Sequence, residues 1–147
     1  MTTTFRTVFA VMVAESANNP TLPYGFTFNS DCFAGDGSYQ PMEIGKGLTC
    51  ATFVIALFHS AGFPIIKRET WKHRSEDAAW QKKILALLQG SASSEHIKGA
   101  TNDVGQFRYW PEEVAAAAVH NSPPLGFDEC QVLAAEIMAA IRPAAAE

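Results

Sequence analysis

Between Thr49 and Gly62 the chain carries its clearest folding instruction. Cys50, Phe53, Val54, Leu57, Phe58 and Ala61 return at helical spacing, behind a threonine suited to an N-cap and ahead of a stop glycine. The spacing predicts a helix over 50–61. Directly before it, Asn29 to Gly47 holds four glycines and a proline and shows no period. A loop of that length is uncommon inside a compact domain and is more often functional than idle. Residue 50 therefore stands where irregular chain gives way to the most strongly specified element.

The rest of the chain organises around this junction. Phe5 to Ala14 is rich in Val, Phe and Thr and ends at Asn18-Asn19-Pro20, which predicts a buried strand, with a short helix as the alternative. Pro23 to Phe28 alternates aromatic and small residues and predicts a second strand, and Pro64-Ile65-Ile66 a brief edge strand. Ser75 is the expected cap of a helix whose buried stripe is Trp80, Ile84, Leu87 and Leu88, ended by Gly90. Ser91 to Gly105 has the weakest structural signal. Pro111-Glu112-Glu113 opens another helix, with Val114, Ala118 and Val119 as its apolar face, and a last helix runs from about Phe127 to Ile141. The expected class is α+β in one domain spanning 1–147: short strands in the N-terminal third, a helix at about 50–61, and a helical C-terminal half.

Bulk properties narrow the function. Residues are 48% apolar and 18% charged, with a net charge of −4 and no charge runs, so a nucleic-acid footprint is not expected. The local basic group Lys67, Arg68, Lys72 and Arg74 is interleaved with Glu69, Glu76 and Asp77 and reads as a solvated face. No apolar stretch has the length to span a bilayer. Arg6 to Ala14 has one positive charge ahead of a short apolar run, as a secretory leader does, but Glu15 closes it early. Cys32, Cys50 and Cys130 are odd in number and without paired spacing, which fits neither a disulfide framework nor a zinc site. A reducing, cytoplasmic setting follows, with no metal or other cofactor expected.

Chemistry concentrates at Cys50. A cysteine in the first turn of a helix sits among unpaired backbone N–H groups at the positive end of the dipole, an environment that favours the thiolate. Gly45-Lys46-Gly47 lets the backbone approach a bound carbonyl, and the Cys50 N–H is placed to hold an oxyanion. Against this, Cys50 also begins the stripe continued by Phe53, Val54 and Leu57, and a buried cysteine is simply a small hydrophobe. Cys130 reads as core and Cys32 as an incidental free thiol.

Gly47-Leu48-Thr49-Cys50-Ala51-Thr52-Phe53-Val54 resembles the nucleophile helix of the papain-like superfamily, especially NlpC-type cysteine peptidases and amidases. Phe63 to Thr70 is loosely similar to the segment that follows it there. The resemblance implies a thiol hydrolase of the thiol-protease or amidase kind, acting on a peptide, amide or ester, with Cys50 as nucleophile and Gly47 and Thr49 at the substrate. It also implies a downstream histidine at the start of a strand. His96, in Ser94-Glu95-His96-Ile97, is the first choice, with Asn102 or Asp103 to orient it. His120 follows a helix and is the second. His59 lies nine residues along the Cys50 helix, two and a half turns away, and His73 sits among Lys72 and Arg74. The circularly permuted members of the superfamily place their histidine before the cysteine, and none precedes Cys50 here. The alternative is a non-catalytic α+β module, or an inactive papain-like relative, that binds a protein partner through Tyr39, Tyr109 and Trp110.

Overall fold

The computed structural model describes residues 10–11, 13–14, 22–27, 31–34 and 36–141. Five α-helices follow from residue 50 onward: α1 (Cys50–Ser60), α2 (Asp77–Leu88), α3 (Ser94–Thr101), α4 (Pro111–Val119) and α5 (Phe127–Ile141). A 3-10 turn, Arg68–Thr70, lies between α1 and α2.

The expected α+β class is overturned. Among the described residues there is no strand, only isolated bridges at Phe33–Tyr39, Ile66–Leu125 and Gln89–Ala92. Residues 23–25 do meet residue 48, through the Leu48 N–H to Pro23 O at 2.9 Å and the Gly25 N–H to Leu48 O at 3.4 Å. The pairing stops there because Pro23 has no N–H to give and the opposite chain turns at Thr49 into α1. The edge strand expected at Pro64–Ile66 shrinks to the single bridge with Leu125. Of Phe5 to Ala14, residues 10, 11, 13 and 14 are helical and exposed; the others, like Phe28, lie outside the described residues.

The glycine-rich segment is held against the helices by close backbone contact. A Cβ on Gly47 would lie 2.4 Å from Pro23 O and 2.6 Å from the Tyr24 carbonyl carbon. Gly45, at φ +89°, comes so near α3 that a Cβ there would be 2.4 Å from the Gly99 Cα. Only glycine allows either approach, and at Gly45 only glycine takes the backbone conformation without strain.

Helix α1 forms where the spacing predicts and is capped as expected. The Thr49 hydroxyl accepts the Thr52 N–H while Thr52 Oγ1 accepts the Thr49 N–H. Its apolar character extends all the way round: of its residues only Cys50 and His59 are exposed. Ala51, Ile55 and Phe58 face a core completed by Ile65, Trp71, Tyr109, Val114, Ala117, Leu125, Phe127 and Cys130. Ala56 and Leu57 face Cys32, Phe33 and Leu48 of the loop layer. A third cluster, Phe26, Leu85 and Ala100, joins that layer to α2 and α3.

Elsewhere the buried faces differ from the apolar pattern. In α2 the buried residues are Asp77, Gln81 and Leu85, while Leu87 is 77% exposed. Gln81 is inside because its amide serves backbone groups, donating to Gln106 O at 3.0 Å and accepting the Gly105 N–H at 2.7 Å. No side chain caps α2; Glu76, not Ser75, is its N-cap. Residues 91–105, weak in the sequence, contain α3, whose N-cap Ser93 accepts the His96 N–H. In α4, Ala116 and Ala117 are buried while Val119 is 75% exposed. α4 packs most extensively on α5.

One ion pair is enclosed among these helices. Arg74 contacts Glu113 of α4, donates to Arg108 O at 3.1 Å, and lies over the rings of Trp110 and Phe127 at 4.5 and 4.7 Å. The second Glu113 oxygen accepts the Trp110 N–H. Arg74 Nε, Asp77 Oδ1 and Trp110 Nε1 are buried without a hydrogen-bond partner among the described residues.

Candidate functional site

The three cysteines separate by burial. Cys32 and Cys130 are buried in the core, and burial pushes both thiols up to about 11. Cys50 is exposed, so the expectation that it starts a buried stripe is corrected. The incidental free thiol expected at Cys32 is likewise a core residue, packed with Phe33 and Leu57.

At Cys50 the backbone is open. The Thr49 side chain takes the Thr52 N–H, and the first bond of the helical ladder runs from Phe53 to Thr49 O. The N–H groups of Cys50 and Ala51 therefore have no acceptor among the described residues. An oxyanion formed at the sulfur would meet two donors and the positive end of α1. The Tyr24 phenol is pushed up, chiefly by burial and to a lesser degree by Cys50, with Arg108 opposing. The Tyr24 ring meets Phe26 edge-on, Phe26 meets Trp80 in the same way, and the Arg108 guanidinium lies 3.7 Å over Trp80.

His96 does not open a strand; it lies in the first turn of α3 and faces the backbone. Its Nε2 is 2.8 Å from Tyr24 O, and its Nδ1 accepts the Gly45 N–H at 3.3 Å. Those partners fix the tautomer, with the proton on Nε2 donated to the Tyr24 carbonyl. Both ring nitrogens are thus committed to holding residues 24 and 45, and the imidazole has no lone pair left for a thiol proton. Neither proposed orienter touches it: Asn102 is the exposed C-cap of α3, and Asp103 takes Lys46 Nζ at 2.7 Å and the Thr27 hydroxyl.

The other histidines are placed elsewhere. His59 is exposed at the far end of α1, His73 stacks on Phe107 at 4.0 Å, and His120 caps α4 with Nδ1 accepting the Ser122 N–H at 3.2 Å. Gly47 is fully occupied in the contact with Pro23 and Tyr24, and Thr49 in its reciprocal cap. Tyr109 and Trp110, expected at a protein-binding surface, are respectively buried against Trp71 and half-buried over Arg74, and Tyr39 is half-buried against Phe33. Of the residues singled out in the sequence, the structure leaves Cys50 exposed at the start of α1 and His96 as a clamp on the backbone of residues 24 and 45. Alternation of small and aromatic residues at 23–28 marked Tyr24, but only as strand. No group of three or more potential metal ligands occurs among the described residues. No described helix is long and apolar enough to cross a membrane. Set against known protein families, curated proteins and solved structures, the chain matches none.

Proposed function

We propose that Cys50 is the nucleophile of a small thiol hydrolase acting on an ester or similarly activated acyl group. The observation that carries this reading is the exposure of Cys50 alone among the three cysteines, in a helical first turn with two open N–H donors. The sulfur attacks the carbonyl carbon, the oxyanion is held by the Cys50 and Ala51 N–H groups, and the alcohol departs to leave a thioester. Water then releases the acid. The thiol proton passes to solvent at this exposed position. An amine leaving group needs a general acid as it departs, and no described imidazole stands at Cys50, so an ester fits better than a peptide or amide.

A second reading, an inactive thiol-bearing relative, is favoured by the two backbone bonds of His96. A stopped-flow assay with p-nitrophenyl acetate separates the two. The hydrolase reading expects a burst of one equivalent followed by turnover, lost in Cys50→Ala and retained in folded His96→Gln. Iodoacetamide at about pH 8 is expected to label Cys50 alone in the native protein, since Cys32 and Cys130 are enclosed. A labelled Cys50 without turnover selects the inactive relative. A burst lost in a folded His96→Gln variant would make His96 the base after all.

A further inference from the structure

The outer side of the α4–α5 pair leaves apolar surface bare. Val132 is 64% and Ile141 67% exposed, and Val119, at the end of α4, more than either. Where α5 passes the end of α4, a hollow of about 210 Å³ opens, lined by Ala116 and Val119 from α4 and by Leu133, Glu136 and Ile137 from α5. Leu133, Ile137 and Ile141 follow one another at four-residue spacing, so the floor of the hollow continues as one line along α5. The charge on this surface has one sign. From Tyr109 to Ile141 the chain has no lysine or arginine, while Glu112, Glu113, Asp128, Glu129 and Glu136 are acidic. Glu113, Asp128 and Glu129 are matched by Arg74, Lys72 and Lys67; Glu112 and Glu136 have no ion pair among the described residues.

We infer that this groove docks an amphipathic helix of a partner protein, one whose apolar stripe is flanked by lysine or arginine. A furrow between two helices receives a third through apolar side chains at i, i+3 or i+4, and i+7, and the line from Leu133 to Ile141 offers them two turns of contact. The hollow falls below the roughly 300–1,000 Å³ of small-molecule sites and suits a single anchoring side chain. A basic flank meets Glu136 and finds no lysine or arginine on α4 or α5 to repel it. The same sign argues against a second copy as the occupant. A two-fold contact lays this surface on itself, and Glu136 then meets no lysine or arginine at all. The inference does not depend on any activity at Cys50.

Fluorescence anisotropy of a labelled four-turn leucine–lysine helix, its leucines on one face, tests it, with the same helix carrying glutamate for lysine as the control. The lysine helix is expected to bind saturably and to weaken with added salt, and the glutamate helix to bind at least tenfold more weakly. Val119→Lys and Glu136→Lys, both at exposed positions, are expected to fold and to weaken the lysine helix at least tenfold. Leu87→Lys, at an exposed apolar position on α2, is expected to leave it unchanged. Absence of saturation, or equal binding of the glutamate helix, overturns the inference without recourse to any variant. Binding unchanged in folded Val119→Lys and Glu136→Lys, or weakened as much by Leu87→Lys, overturns it too. Sedimentation that shows a dimer dissolved by Val119→Lys gives the groove to a second copy and overturns it as well.

Discussion

The loop layer, described over residues 22–27, 31–34 and 36–48, and the α4–α5 pair both pack side chains on α1, and they differ in what else holds them. Besides the packing of Cys32, Phe33 and Leu48 on Ala56 and Leu57, the loop layer is fastened to itself and to α3 by close backbone approach: Leu48 to Pro23 and Gly25, Gly47 against residues 23–25, Gly45 against Gly99, and the His96 ring spanning Tyr24 O and the Gly45 N–H. The α4–α5 pair is fastened by side chains: Val114, Ala117, Phe127 and Cys130 in the core, with the Arg74–Glu113 pair enclosed beside them. Where side chains make the contact, volume and charge decide what is tolerated. Where backbones make it, a single added methyl is already too much.

The comparison breaks first at Arg74. Arg74→Met leaves Glu113 buried without its cation and is expected to cost about 3–5 kcal/mol in urea unfolding. Burial already pushes the Glu113 carboxyl up against the pull of the Trp110 N–H and of Arg74. A cost no larger than that of a surface substitution would show that the pair is not enclosed. Gly47→Ala comes next, with an expected loss of about 1–3 kcal/mol from overpacking against Pro23 and Tyr24. If it proves neutral, the loop layer is looser than the distances imply, and backbone contact is not what fastens it.

The smallest effect sharpens the side-chain half. Glu129 accepts the Gly126 N–H at 2.7 Å at the start of α5, and that bond, then Lys67, holds its carboxyl below the usual carboxylate range. A depressed native value means stabilisation that is present above the unfolded value and lost as pH falls through the folded one. Glu129→Gln keeps an acceptor for Gly126 but removes the charge. The melting temperature of the wild type should therefore fall towards that of the variant as the solution is acidified. An unchanging gap across the acid range would assign the effect to packing instead.

What could be read in the sequence followed from local chemistry. Thr49 and Gly62 bracket α1, Pro111 opens α4, and the span of α5 was visible in its periodicity, because caps, proline and apolar spacing act within a few residues of themselves. The strands failed for a complementary reason: alternation at 23–28 describes a residue's two sides but not whether a partner strand runs beside it. Gln81 and Asp77 could not be recognised as buried, since their partners are the backbone of residues 105–106 and 74. Cys50 was identifiable as a helix-start thiol, but its exposure depends on the loop layer leaving it uncovered. His96 was found by residue type but expected at the start of a strand, and its bonds to the backbone of residues 24 and 45 were not legible because those partners lie 72 and 51 residues away.

The apolar character of α1 on nearly every side has a consequence for cooperativity. A surface helix with one apolar stripe can lose a neighbour on its polar face and survive; α1 has no such face. If the loop layer peels off, Ala56 and Leu57 meet water, and if α4 and α5 peel off, Ile55 and Phe58 do. Neither layer can detach while leaving the other with a sound support. The two should melt in one transition, and a fragment containing α1 with one layer alone should aggregate through the bared flank.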